Sequence, residues 1–132
     1  MESLHLEIVL PVSARDLCKA WLNSAEHSGF TGSKAVIKPH IGGNFSAWDG
    51  YITGQTLELD TPRRILQSWR TQEFPADSPD SLLEVLFLPE GNDTRLVLNH
   101  SHLPDGQKEQ YEKGWQDYYF TPMRSYFQPR NR

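Results

Sequence analysis

A chain of 132 residues with a formal charge of −4 has the length of one domain, and its acidity argues against a face built to hold nucleic acid. Its one cysteine, Cys18, excludes an internal disulfide, and no apolar run reaches the length of a signal-peptide core or a membrane span. A soluble cytoplasmic protein is the expectation: a single domain over 1–132, with neither membrane nor nucleic acid as a partner.

Leu4, Leu6, Ile8 and Leu10 alternate with His5, Glu7 and Val9, the period of a strand with one buried face, and Pro11 ends it. Ser13-Ala14-Arg15-Asp16 reads as a capping box with Asp in place of Glu. It opens a short helix whose inward stripe is Leu17, Cys18, Trp21 and Leu22. Ser24 is the expected cap of a second helix that ends near Gly29. From 33 to 101 the period is two. Short strands at 35–38 and 45–48 flank a Gly42-Gly43 turn or bulge, and Asp49-Gly50 is the strongest hairpin signal. The strand at 51–59 shifts its buried set from Ile52 to Leu57 and Leu59, a change of parity that needs an extra residue, expected at Gly54. After Asp60-Thr61-Pro62 comes a strand at 65–70, then a polar, proline-containing loop at 72–81. Strands at 82–88 and 94–102 pair through Glu90-Gly91-Asn92-Asp93.

The longest pattern lies at 105–127. Tyr111, Trp115, Tyr118, Tyr119, Met123, Tyr126 and Phe127 recur in steps of three and four and form one broad helical face. Asp105 is the expected N-cap, and the helix would span about 33 Å. Gly114 implies a close backbone approach. Pro122, with no amide for the Tyr118 carbonyl, implies a bend; the alternative is a stop near Thr121 and a second short helix. The bend is favoured because Tyr126 and Phe127 keep the phase of the stripe. Such a helix over one antiparallel sheet must lie in the concave side, and any gap between them becomes a cavity lined by rings.

Several segments in order carry a family resemblance. They are His27-Ser28-Gly29-Phe30-Thr31-Gly32, then Gly42-Gly43-Asn44-Phe45-Ser46-Ala47-Trp48-Asp49-Gly50-Tyr51-Ile52-Thr53-Gly54, and Arg64-Ile65-Leu66-Gln67-Ser68-Trp69-Arg70. Thr94-Arg95-Leu96, Gly114-Trp115, Asp117-Tyr118-Tyr119-Phe120 and Pro122-Met123 complete the set. The chain is similar to the C-terminal domain of the activator of heat-shock protein 90 ATPase, within the START-like (SRPBCC) helix-grip superfamily. That resemblance implies an α+β helix-grip fold: a six- to seven-stranded curved antiparallel sheet around a long C-terminal helix, with two short helices after the first strand. The two-domain activators also carry an N-terminal domain with an Asn-x-Asn-x-Trp-His-Trp motif, and no Trp-His-Trp run occurs here.

Candidates for a cavity wall are Phe45, Trp48, Trp69, Phe87 and His100 on the strands, with Trp115, Tyr118, Tyr119 and Met123 on the helix. Plain core packing is the commoner role for any one ring. His100 and His102 lie two apart on a strand and would share a face, as two metal ligands do. No third ligand is evident, so neither metal nor cofactor is expected, and His100 reads as a polar anchor. Cys18 sits on a helix stripe as packing, and no serine has the context of a nucleophile, so no catalytic residue is assigned. Arg70 and Glu84 would pair across strands on the outer face, while Phe74 either meets a partner or folds back on its sheet. The first functional reading is a non-enzymatic domain binding a small apolar or amphipathic ligand between sheet and helix. The alternative is a co-chaperone-like protein that binds a heat-shock protein 90 homologue and modulates its ATPase; a third is a small-molecule hydrolase or cyclase.

Overall fold

The computed structural model describes residues 1–128. The alternation at the start of the chain becomes β1 (Glu2–Leu10), which buries Leu4, Ile8 and Leu10 and turns His5 and Glu7 outward. Ser13 Oγ accepts from the Asp16 amide at 3.1 Å and opens α1 (Ala14–Leu22), as the capping sequence predicts. For α2 (Ser24–Thr31) the cap is Asn23, whose Oδ1 accepts from the Glu26 amide at 2.9 Å; the helix ends at Gly32 with φ 79°. Ser24 has a different role. Its hydroxyl accepts from the Ile37 amide at 2.8 Å and ties α2 to β2 (Val36–Ile37). Asparagine caps as well as serine does, so the start of the helix moves back by one residue.

β3 (Asn44–Ala47), β4 (Ile52–Asp60), β5 (Arg64–Thr71), β6 (Ser81–Glu90) and β7 (Asp93–Leu103) complete one seven-stranded antiparallel sheet in the order β1-β7-β6-β5-β4-β3-β2. The parity change in β4 falls between Thr56 and Glu58, not at Gly54. Gly54 keeps regular register with Phe45 on one side and Trp69 on the other. It is glycine because a Cβ there would stand 1.9 Å from the Ser68 carbonyl oxygen and 2.6 Å from Phe45 Cε2. Gly54→Ala is therefore expected to cost about 3 kcal/mol or more in a urea titration, since backbone on the next strand has to move. On the outer face Arg64 lies between Glu58 and Glu84, 2.7 Å from each, and Arg70 turns to Asp80 at 2.8 Å. The expected Arg70–Glu84 pair does not form, because Glu84 stands opposite Leu66, closer to the Arg64 end of β5.

After β7 the chain forms α3 (Lys108–Trp115), a π-helical turn (Gln116–Phe120) and α4 (Thr121–Tyr126) as one continuous helical course. Asp105 is not its cap; it pairs with the Met1 amino group at 2.8 Å. The amide of Lys108, the first helical residue, and that of Gly106 just before the helix donate instead to Glu2 Oε1, at 3.1 and 3.2 Å, so a side chain of β1 meets the start of the helix. In the π turn the Thr121 amide reaches the Gln116 carbonyl, five residues back. That wider turn accommodates Pro122, which has no amide to offer Tyr118, so the helix passes through the proline without stopping. One extra residue in the turn rotates the remainder of the helix by about 100°. Tyr119, Phe120 and Met123 are buried. Tyr118 and Tyr126, expected inside the stripe, are 57% and 45% exposed.

Candidate functional site

Most of the space between sheet and helix is filled. Phe87, Leu96, Leu98 and Met123 have no exposed surface, and Phe74 folds back against Trp69 and Tyr111, with ring centroids 6.1 and 5.8 Å away. At one end the layers do not close. Asp49-Gly50 belong to a four-residue turn in which Trp48, Asp49 and Gly50 all have positive φ (52°, 55° and 85°). Trp48 is thereby lifted off the strand end where its sequence position puts it. Between this turn, Trp69 of β5 and the helix lies a cleft of about 370 Å³.

Five of the nine sequence candidates border this cleft: Trp48, Trp69, Trp115, Tyr118 and Tyr119. The other four do not. Phe45 packs over Gly54, Phe87 and Met123 lie in the filled interior, and His100 sits behind Trp115. Tyr51, Ile52, Glu73, Gln110, Tyr111 and Gly114 complete the wall. Of these, the amphipathic stripe already contains Tyr111; Glu73 and Gln110 are polar positions that a sequence reading assigns to solvent. Tyr51 Oη donates to the Glu73 carboxylate, and burial followed by that carboxylate raises the phenol's pKa. Tyr111 Oη donates to Gln107 Oε1 at 2.7 Å and accepts from Thr71 Oγ1 at 2.6 Å. Burial pushes the Tyr111 phenol up to about 12.

His100 is a pin rather than an open anchor. Trp115 Nε1 donates to its Nδ1 at 3.1 Å, so the ring proton is on Nε2, which donates to Ser81 Oγ at 2.8 Å. Ser81 in turn donates to the Trp69 carbonyl at 2.7 Å. With 1% of its surface exposed, the neutral ring is strongly favoured, and burial lowers its pKa to about 3. His102 does not share its face: its φ of 61° turns the ring outward to Ser101 Oγ, and the two imidazoles cannot act as a ligand pair. A second buried histidine comes from α2. His27 Nδ1 donates to the Trp21 carbonyl at 2.9 Å, and Nε2 accepts from Tyr119 Oη at 2.8 Å. Burial lowers His27 to about 4. Cys18 is buried on α1, and its thiol is pushed up to about 11.

Gly114 does not mark the expected backbone approach. A Cβ there would meet only Tyr118 Cδ2, at 3.9 Å. What a side chain would do is enter the cleft. Gly114→Ala is expected to stabilise the fold by up to about 1 kcal/mol, because alanine is the better helix former, while narrowing the cleft. Thermal melts with and without a cleft ligand separate the two effects.

Residues 11–128 match the family described as Activator of Hsp90 ATPase homolog 1-like protein. The chain belongs to that family. It is 28% identical over 122 residues to the mouse (Mus musculus) activator of 90 kDa heat shock protein ATPase homolog 2, covering 92% of this chain and 37% of that protein. Against the human homolog 1 the identity is 24% over 115 residues, with 87% and 34% covered. The chain thus spans about a third of the length of these curated relatives. Among solved structures, an HSP90 activator from Plasmodium falciparum superposes with a TM-score of 0.87 at 23% identity, covering 96% of each chain. CalU16 from Micromonospora echinospora does so at 0.80 and 21%, covering 96% of this chain and 76% of that one. These likenesses show the helix-grip fold. No helix among the described residues is long and apolar enough to cross a membrane.

Proposed function

We propose that this domain is a non-enzymatic binder of a small apolar or amphipathic molecule, held in the cleft between the β3–β4 turn and the C-terminal helix. The observation that carries the reading is an unfilled space of about 370 Å³ with seven aromatic residues among the eleven that border it. That volume is within the usual range for small-molecule sites. The non-enzymatic half of the reading is supported by the two buried histidines, while the one carboxylate at the cleft, Glu73, accepts from the Tyr51 hydroxyl. His27 and His100 are held neutral in hydrogen bonds and neither borders the cleft.

Native mass spectrometry of the freshly purified protein and displacement of an apolar dye test this. Gly114→Leu, which fills the cleft from an accessible helix position, is expected to abolish displacement while preserving the circular dichroism spectrum. Absence of any displaceable dye from the wild-type protein would remove the reading.

Docking to a heat-shock protein 90 homologue is the second reading, favoured by the family match across 11–128 and by relatives named as activators of that chaperone's ATPase. A pull-down and an ATPase titration decide it. No association at tens of micromolar, roughly −6 kcal/mol of binding free energy, and no rate change would end it.

A further inference from the structure

We propose that the cleft selects an organic cation, an amine or quaternary ammonium carried on a small apolar body. The inference rests on the cleft-binding function proposed for this domain and narrows its ligand. Among the described residues, Glu73 is the one charged group bordering the cleft, and it is a carboxylate; no lysine or arginine lines the space. Its side chain has Tyr51 Oη as its hydrogen-bond donor and enters none of the ion pairs of the described residues. The remaining wall is mostly aromatic, and an aromatic face is the negative pole of the ring quadrupole. Trp48 and Tyr118 meet at 69° with centroids 5.3 Å apart, and Trp69 and Tyr111 at 85° and 5.2 Å. A ligand that meets any of these rings face-on adds a cation–π contact to the attraction of the Glu73 carboxylate.

Size and charge discriminate among occupants. A neutral apolar molecule gains the ring contacts and nothing from Glu73. An anion is repelled by the carboxylate. A cation gains both terms in a partly desolvated site, where cation–π contacts are at their strongest.

Three matched probes test the charge preference by tryptophan fluorescence titration: benzyltrimethylammonium, its all-carbon isostere neopentylbenzene, and the anion phenylacetate. The ammonium is expected to bind about tenfold or more tighter than the isostere, and phenylacetate more weakly than either. Glu73→Gln, in an exposed loop, is expected to lose most of the ammonium's advantage and leave the affinity for neopentylbenzene unchanged. Should the isostere or the anion bind as tightly as the ammonium, the cation preference is overturned and the cleft stands as a general apolar site. Should Glu73→Gln weaken all three probes alike, the carboxylate acts only on the shape of the cleft, which also overturns it. If none of the three binds to the wild-type protein, the cleft reading fails together with this one.

Discussion

Acidification from about pH 7.5 to about pH 5 is expected to remove about 4 kcal/mol of folding stability, well before most carboxylates protonate. The cause is the pair of buried neutral histidines. Folding holds His100 down to about 3 and His27 to about 4, whereas in the unfolded chain both return to the ordinary 6.5. Between those limits the unfolded chain binds protons that the folded chain refuses. Stability is therefore complete above 6.5, falls as the pH drops through that value, and stops falling only once the folded-state values are passed. At about 1.36 kcal/mol for each unit, the two contribute about 2 kcal/mol each by pH 5. His5 works in the opposite sense, because its hydrogen bond to Glu7 raises its pKa, but it is exposed and screened by solvent. Urea titrations across the pH range, repeated on the double variant His27→Gln with His100→Gln, measure the effect. The variant should start less stable and show a much flatter curve. Equal slopes in the two proteins would show that neither histidine is held neutral.

Truncating the ring at the centre of the interior is the other large effect. Trp115→Ala is expected to cost about 5 kcal/mol, enough to leave little of a small domain's stability. The indole is 3% exposed and lies within ring contact of Trp21, Trp69, His100 and Tyr119, the last at 4.6 Å between centroids. Its removal loses that burial and also strips Nδ1 of His100 of its donor. Trp115→Phe keeps a ring and loses the N–H, so about 2 kcal/mol is expected, together with an upward movement of the His100 pKa followed by NMR. A Phe variant as destabilised as the Ala variant would assign the cost to the hydrogen bond and not to packing.

The period-two and period-3.6 patterns define the architecture without help from distant contacts. β1, β5, β6, β7 and α1 are where local alternation and capping place them, because each shows one apolar face and one polar face. Family membership is likewise written in linear segments such as the glycine-rich run around Phe45 and Trp48. Parity in β4 was half legible. Ile52, Leu57 and Leu59 announce that an extra residue exists, and Gly54 attracts the assignment because glycine serves both bulges and close approaches. Only the register of three strands shows that at Gly54 the reason is the Ser68 carbonyl and the Phe45 ring.

The cleft was legible in kind and not in membership. Rings on facing elements imply a space between them, and Trp48, Trp69, Trp115, Tyr118 and Tyr119 do surround one. Which rings leave room depends on terms that no window of sequence contains: the positive φ of the turn at Trp48, and the π turn at Gln116–Phe120, within which Tyr118 is 57% exposed. His27 and Glu2 make the same point. By local pattern one is an ordinary first-turn histidine and the other a polar residue at the edge of a strand. Their partners, the Tyr119 hydroxyl and the amides at the start of the C-terminal helix, come from the far end of the chain. Residue pattern by itself determined which elements form and which side of each is apolar, because those depend on neighbours a few positions away. Tertiary structure alone decided which buried polar atoms find partners and where packing fails to close, because both require surfaces far apart in the chain to meet in one register.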